Sequence, residues 1–156
     1  MESSILNESQ KTLVEKIGVV HEKGGMQPAA ARIISLLLVS DKVELTFDEI
    51  RETLNLSKSA TSNALNLLLT TSKIDYITKP GDRKRYFRSR VTHWVENFKH
   101  RITNLKGLAG LLNEVLIQRP ENTIDFNNSL RDVIGFLNYL SDKIPSIYEE
   151  WEQMKK

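Results

Sequence analysis

Apolar positions in the first half of the chain follow helical spacing. Leu6, Gln10, Leu13, Ile17 and Val20 step by four and three, so residues 7–23 are expected to form an amphipathic helix whose seam only Gln10 interrupts. Gly24-Gly25 stops it. Pro28 suits the first turn of a second helix reaching about residue 39. Ala29, Ala30, Ile33, Ile34, Leu36, Leu37 and Leu38 make that helix apolar nearly all round, which predicts a central place in the core. Val43-Glu44-Leu45 reads as a short extended piece. Thr46-Phe47-Asp48-Glu49 has the spacing of a capping box and opens a short helix to about residue 54. After a tight turn at Asn55-Leu56, Ser57 is an N-cap for a helix to about residue 71. Two helices joined this closely make a helix-turn-helix.

The pattern then changes period. Residues 73–79 and 83–90 are rich in β-branched and aromatic side chains, and Pro80-Gly81-Asp82 between them is turn chemistry, so a β-hairpin is expected. A helix-turn-helix followed by a hairpin is the winged-helix arrangement. Beyond it, Val91, Val95, Phe98, Ile102, Leu105, Ala109, Leu112 and Leu116 keep a 3.5-residue repeat. Arg119-Pro120-Glu121-Asn122 breaks that repeat, and Phe126, Leu130, Val133, Leu137, Leu140, Ile144, Ile147, Trp151 and Met154 resume it; Pro145 interrupts this second run and is expected to kink or divide the helix. Two such seams predict dimerisation, with an intramolecular pairing of the two helices against the first helix as the alternative.

The expected fold is therefore mainly α: a winged helix-turn-helix domain with a two-stranded β wing, plus N- and C-terminal dimerisation helices. Residues 1–23 form the N-terminal helix of the dimer interface, residues 24–90 the DNA-binding domain and residues 91–156 the C-terminal dimerisation region. At 156 residues the chain suits one domain with added helices. No apolar run reaches the ~18 residues of a membrane span, and the first residues lack the pattern of a signal peptide. The absence of cysteine removes disulfides, thiolate metal sites and thiol nucleophiles. A cytoplasmic protein is expected.

Net charge is only +2, yet its distribution is uneven. Residues 57–90 carry eight basic and two acidic side chains, a local net of +6, while the flanking segments are −3 and −1. Positive charge concentrated in one stretch points to a polyanion partner.

The helix opened by Ser57 carries the candidate chemistry. At about 100° per residue, Ala60, Ala64, Leu67 and Leu68 share an inner face, and Lys58, Ser59, Ser62, Asn63 and Asn66 lie away from it. That outer face has no acidic residue. Ser57, Lys58 and Ser59 sit where the helix N-terminus favours a phosphate. Ser62, Asn63 and Asn66 can reach base edges, Asn being suited to adenine. In the hairpin, Arg83, Lys84 and Arg85 are consecutive cations at a turn, with Lys79 just before it, placed to enter a minor groove. Strand alternation sets Arg83 and Arg85 on one side and Lys84 on the other. Asp82 orients Arg83 or caps the turn; Tyr86 and Phe87 anchor the wing to the core. The plainer alternatives are a solvated amphipathic helix and a charged, protected edge.

Several segments resemble the winged-helix domain of MarR-type transcriptional regulators, the GbsR branch in particular. They are Gly25-Met26-Gln27-Pro28 with Ala30-Ala31-Arg32-Ile33, Leu45-Thr46-Phe47-Asp48-Glu49-Ile50, Leu56 to Leu65, and Pro80 to Phe87. The resemblance implies a homodimer that binds a pseudo-palindromic operator in double-stranded DNA, acting as a repressor, with a small-molecule effector open. It assigns Ser57, Lys58, Ser59, Ser62 and Asn63 to the major-groove helix, and Arg83 to Arg85 to the wing. Ala31 stands where the family often has Gly before the Arg, and Ser72 where Gly often ends the recognition helix.

Other constellations are weaker. His93, Glu96 and His100 share a helix face at metal-compatible spacing, but phosphate or solvent contact explains them as well. Trp94, Tyr139, Tyr148 and Trp151 suit either packing or a cage for a quaternary ammonium ion. Arg32 on an apolar helix calls for an ion-pair partner, Glu49 or Asp48. No catalytic motif is present, and neither an enzyme, a metal nor a cofactor is expected. The rival from another class is a winged-helix module that binds an acidic protein.

Overall fold

The computed structural model describes residues 5–155, and of Thr103 the backbone only. The chain divides into two compact units, one ending at Val91 and one beginning at Thr92. The first contains α1 (Glu8–Lys23), α2 (Pro28–Val39), β1 (Leu45–Thr46), α3 (Phe47–Thr53), α4 (Lys58–Thr70), β2 (Ile74–Thr78) and β3 (Arg85–Ser89). A 3-10 turn (Val91–His93) leads to α5 (Trp94–Gln118) and α6 (Ile124–Met154). The protein is mainly helical with one small sheet. No helix among the described residues is long and apolar enough to cross a membrane.

The central helix is α2, as its composition requires. Ala30, Ala31, Ile33, Ile34, Ser35, Leu36 and Leu37 are buried, and Ser35 satisfies its hydroxyl on the Ala31 carbonyl at 2.7 Å. Leu45, Ile50, Leu65, Leu68, Ile74 and Phe87 complete the core. Ala31 is fully buried.

Helix α1 packs on α2 through a face that differs from the expected seam. Leu6, Val14 and Gly18 are buried, whereas Leu13 is 46% and Val20 67% exposed. The cause is Arg32. Its side chain crosses α1 at Gly18, where a Cβ would lie 2.5 Å from Nη1 and 2.7 Å from Cδ. There it pairs with Glu15 at 2.8 Å and with Glu22. The expected partners Glu49 and Asp48 are therefore not used. Glu49 instead closes the predicted capping box with Thr46 and holds Lys42 at 2.6 Å. Gln10 is equally specific. It reciprocates the Asn7 cap and donates to Asp41 at 2.9 Å, which fixes the start of α1 to the end of α2.

Three helices of this unit end in the same way. After α1, Gly25 and Met26 donate to the carbonyls of Glu22 and His21. Asn55 and Leu56 do so to Glu52 and Arg51 after α3, and Ser72 and Lys73 to Leu69 and Leu68 after α4. Each end needs one residue in the left-handed region, and these are Gly25 (φ 89°), Asn55 (φ 50°) and Ser72 (φ 55°). Glycine tolerates that conformation, asparagine less so, and serine least. Ser72→Gly is accordingly expected to stabilise the protein by about 1 kcal/mol. Urea unfolding monitored by circular dichroism checks it; a lower midpoint would mean that the Ser72 side chain contributes more than its backbone costs.

The wing is part of a three-stranded antiparallel sheet of order β1-β3-β2, not a two-stranded hairpin alone. β1 pairs Leu45 with Phe87 and Thr46 with Tyr86; β2 pairs with β3 from Ile74–Ser89 to Thr78–Arg85. Thr46 thus ends a strand and caps α3 at once.

In the second unit α5 and α6 pack antiparallel on each other; Ala109 is buried, and Ile102, Leu105, Leu112 and Leu116 of α5 and Leu130, Leu137, Leu140 and Ile144 of α6 are half-buried. Buried Asn127 ties their connection by accepting from Arg119 at 3.0 Å and donating to the Pro120 carbonyl at 3.0 Å. Helix α6 runs unbroken past Pro145. The middle of both expected seams is covered by the helix pairing, while further apolar side chains stay exposed within this unit: Leu108, Leu111, Val115 and Phe136, which lie off the seams, and Val133, which belongs to one.

Candidate nucleic-acid interface

Helix α4 begins at Ser57, whose hydroxyl accepts from the Ala60 N–H at 3.1 Å. Thr61, Ala64, Leu65 and Leu68 form its buried face. The expected inner face had Ala60 and Leu67 in place of Thr61 and Leu65; Ala60 is only half-buried and Leu67 is 37% exposed. Thr61 can be fully buried because its hydroxyl donates to the Ser57 carbonyl at 2.9 Å. This turns the helix slightly and leaves Ser57, Lys58, Ser59, Ser62, Asn63 and Asn66 exposed.

The wing tip is built from side chain to backbone. Gly81 takes φ 79°, which the turn requires, and Asp82 donates its N–H to the Lys79 carbonyl at 3.0 Å. The Asp82 carboxylate accepts from the Lys84 N–H at 2.9 Å and from the Tyr86 hydroxyl at 2.6 Å. The hydrogen bond from Tyr86 holds the Asp82 carboxyl below its ordinary range, and the same bond raises the Tyr86 phenol. Asp82 is thus a turn cap and makes no ion pair with Arg83. Phe87 anchors the wing in the core, as expected, but Tyr86 does not. Adjacent strand residues point to opposite faces, so Tyr86 lies on the face away from Phe87. There Lys79 stacks 4.0 Å from its ring centroid while paired with Glu44. On the Phe87 face, Arg85 lies 4.7 Å over Tyr76, which packs on Phe87 at 6.1 Å.

These contacts sort the local +6 charge. Lys79 and Arg88 are matched by Glu44 and Asp75, the latter pair at 2.6 Å. Arg90 is half-buried at the base of the wing. Lys58, Arg83, Lys84 and Arg85 are exposed and, among the described residues, outside any ion pair. Of the sequence-predicted cations, Lys79 is therefore set apart from the rest.

Ser62, Asn66, Arg83 and Arg85 line one cleft of about 290 Å³, floored by Phe47, Leu65, Leu69 and Phe87. Polar groups of the outward helix face and wing cations meet there, as recognition of a nucleic acid needs. Asn63 faces outward beyond the cleft, and Ser57, Lys58 and Ser59 stand at the helix N-terminus. Sequence reasoning missed Glu44, Tyr76 and the role of Tyr86. Strand alternation could have placed Tyr86 opposite Phe87; the pairing of Glu44 and Lys79, distant in sequence, had no local signal.

The remaining candidates resolve differently. His93 belongs to the 3-10 turn, not to the helix that carries Glu96 and His100, so the shared helix face is lost. Tyr148 and Trp151 do meet, at 5.8 Å, but Lys99 and Lys155 already stack on them at 4.4 and 3.5 Å.

Comparison with known proteins agrees with this geometry. Residues 24–85 match the model of the MarR family. The chain is 26% identical over 135 residues to the HTH-type transcriptional regulator MmpR5 of Mycobacterium tuberculosis (strain ATCC 25618 / H37Rv), spanning 84% of this chain and 82% of that protein. A crystal structure of a transcriptional regulator shares the fold with a TM-score of 0.74, at 23% identity, over 93% of this chain and 99% of the other. The winged helix of residues 24–85 is of the MarR family's kind, and the chain is similar to transcriptional regulators.

Proposed function

We propose that this protein is a dimeric, sequence-specific DNA-binding regulator of transcription that represses by occupying promoters. The observation that carries the reading is the shared cleft in which Ser62 and Asn66 of α4 face Arg83 and Arg85 of the wing. In it α4 enters the major groove, with Ser57, Lys58 and Ser59 on phosphates and Ser62, Asn63 and Asn66 at base edges. Arg83, Lys84 and Arg85 lie at the flanking minor groove, where the potential is most negative. Lys79 serves the wing from behind. The reading extends to the division of labour along the chain: residues 24–90 bind DNA, while residues 1–23 and 91–156 join two copies. The uncovered apolar faces of α5 and α6 support that pairing. The GbsR-like character rests on the residues quoted above, and a cytoplasmic regulator without catalytic activity follows from the same reading.

Selection of duplexes from a random library at moderate salt tests it. Enrichment of an inverted repeat is the expected result, with half-sites spaced by one or more helical turns. Asn63→Ala is then expected to relax the preference at one position by ~1–3 kcal/mol while leaving the others intact. Retention without enrichment would contradict sequence-specific recognition; no retention at all would favour an acidic protein as the partner.

A further inference from the structure

A carboxylate at the tip of a polyanion-binding wing is a paradox. Asp82 stands beside three cations and, by charge alone, repels phosphates. Its contacts show what it does instead. One oxygen accepts the Lys84 N–H and the other the Tyr86 hydroxyl. The Tyr86 ring is held in turn by the Lys79 ammonium, and Lys79 by Glu44, which directly precedes β1. Four side chains thus run from the edge of the sheet to the turn, on the face opposite Phe87. None of them lines the cleft. At the wing tip Arg83 and Lys84, directly after Asp82, have neither an ion pair nor a ring contact among the described residues.

We propose that Tyr86 is a positioning residue of the nucleic-acid interface: clamped between Asp82 and the Lys79–Glu44 pair, it holds the wing tip rigid so that Arg83 and Lys84 are each presented in a fixed orientation. The inference rests on the DNA-binding reading above and adds a residue that touches no DNA. Ordering the tip before binding removes an entropy cost from the association. A flexible tip keeps the same charge yet makes fewer simultaneous contacts.

Tyr86→Phe and Asp82→Asn separate this role from plain electrostatics and plain stability. The first changes no charge and keeps the ring under Lys79. The second removes a negative charge from the wing tip beside Arg83 and Lys84. Two readouts are taken on the full chain: exchange of the Lys84 amide with deuterium in free protein, and affinity for the library-selected duplex against salt concentration. Both variants are expected to exchange Lys84 at least tenfold faster, to bind three- to tenfold more weakly at moderate salt, and to lose about one unit of salt slope. Unchanged thermal midpoints in both would exclude a general loss of fold. The decisive sign is that of Asp82→Asn, since charge alone predicts tighter binding. Tighter binding, an unaltered slope, or protected Lys84 in Tyr86→Phe each overturns the proposal. A wild-type protein that binds no duplex would instead overturn the DNA reading, whereas the Lys84 exchange still decides whether Tyr86 orders the tip.

Discussion

Arg83→Ala is expected to weaken binding to duplexes of any sequence by roughly three- to tenfold at moderate salt, and to lower the salt slope by about 0.9. Arg83 is exposed at the wing tip, outside any ion pair among the described residues, and lines the cleft with Asn66. A guanidinium in that position neutralises one phosphate or enters the minor groove, and its loss keeps one counterion condensed on the DNA. In the proposed role Arg83 reads no base edge, so the ratio of specific to non-specific affinity should stay nearly constant. The reverse pattern, a loss confined to one sequence, would assign Arg83 to base readout. Arg88→Ala is the internal control. Arg88 is already matched by Asp75 at 2.6 Å and lines no part of the cleft, so its share of the slope is small.

The second large effect concerns assembly. If two copies pair as proposed, Phe136→Glu is expected to yield a monomer and to lower affinity for an inverted repeat by at least about a hundredfold, because linked half-sites bind at high effective concentration. Phe136 is 60% exposed on α6, and Leu108, Leu111, Val115 and Val133 are also uncovered within the helical pair. Apolar surface of that extent on a charged protein marks an interaction face, and the proposed partner is a second copy of the same helix pair. A glutamate in such an interface is buried unpaired. Sedimentation equilibrium reads the mass directly. A Phe136→Glu protein that stays dimeric at wild-type concentrations would place the dimer contact elsewhere.

Much of this architecture was legible residue by residue. Thr46-Phe47-Asp48-Glu49 announced a capping box, Ser57 an N-cap, Pro80-Gly81-Asp82 a turn, and all formed where expected, because each depends on neighbours within a few positions. Ser72 was a departure in sequence, and its φ of 55° shows that the helix end kept its geometry and accepted the strain. Asp82 had two local readings, and the hydrogen bonds to Lys84 and Tyr86 chose the cap.

What the sequence determined by itself was the order of helices and strands, their caps and turns, and the single basic segment. These are set by backbone propensity, side-chain spacing and charge count, all of them local. The tertiary structure decided which side of each helix is buried, Thr61 over Leu67 and Val14 over Leu13, because a satisfied hydroxyl or a missing Cβ can outweigh apolar character. It also sent Arg32 to Glu15 and Glu22, added β1 to the wing, and reduced eight cations to the four that remain exposed outside ion pairs. Such choices follow from which distant residues meet, since a charge is free for a partner only when no nearer group has already matched it.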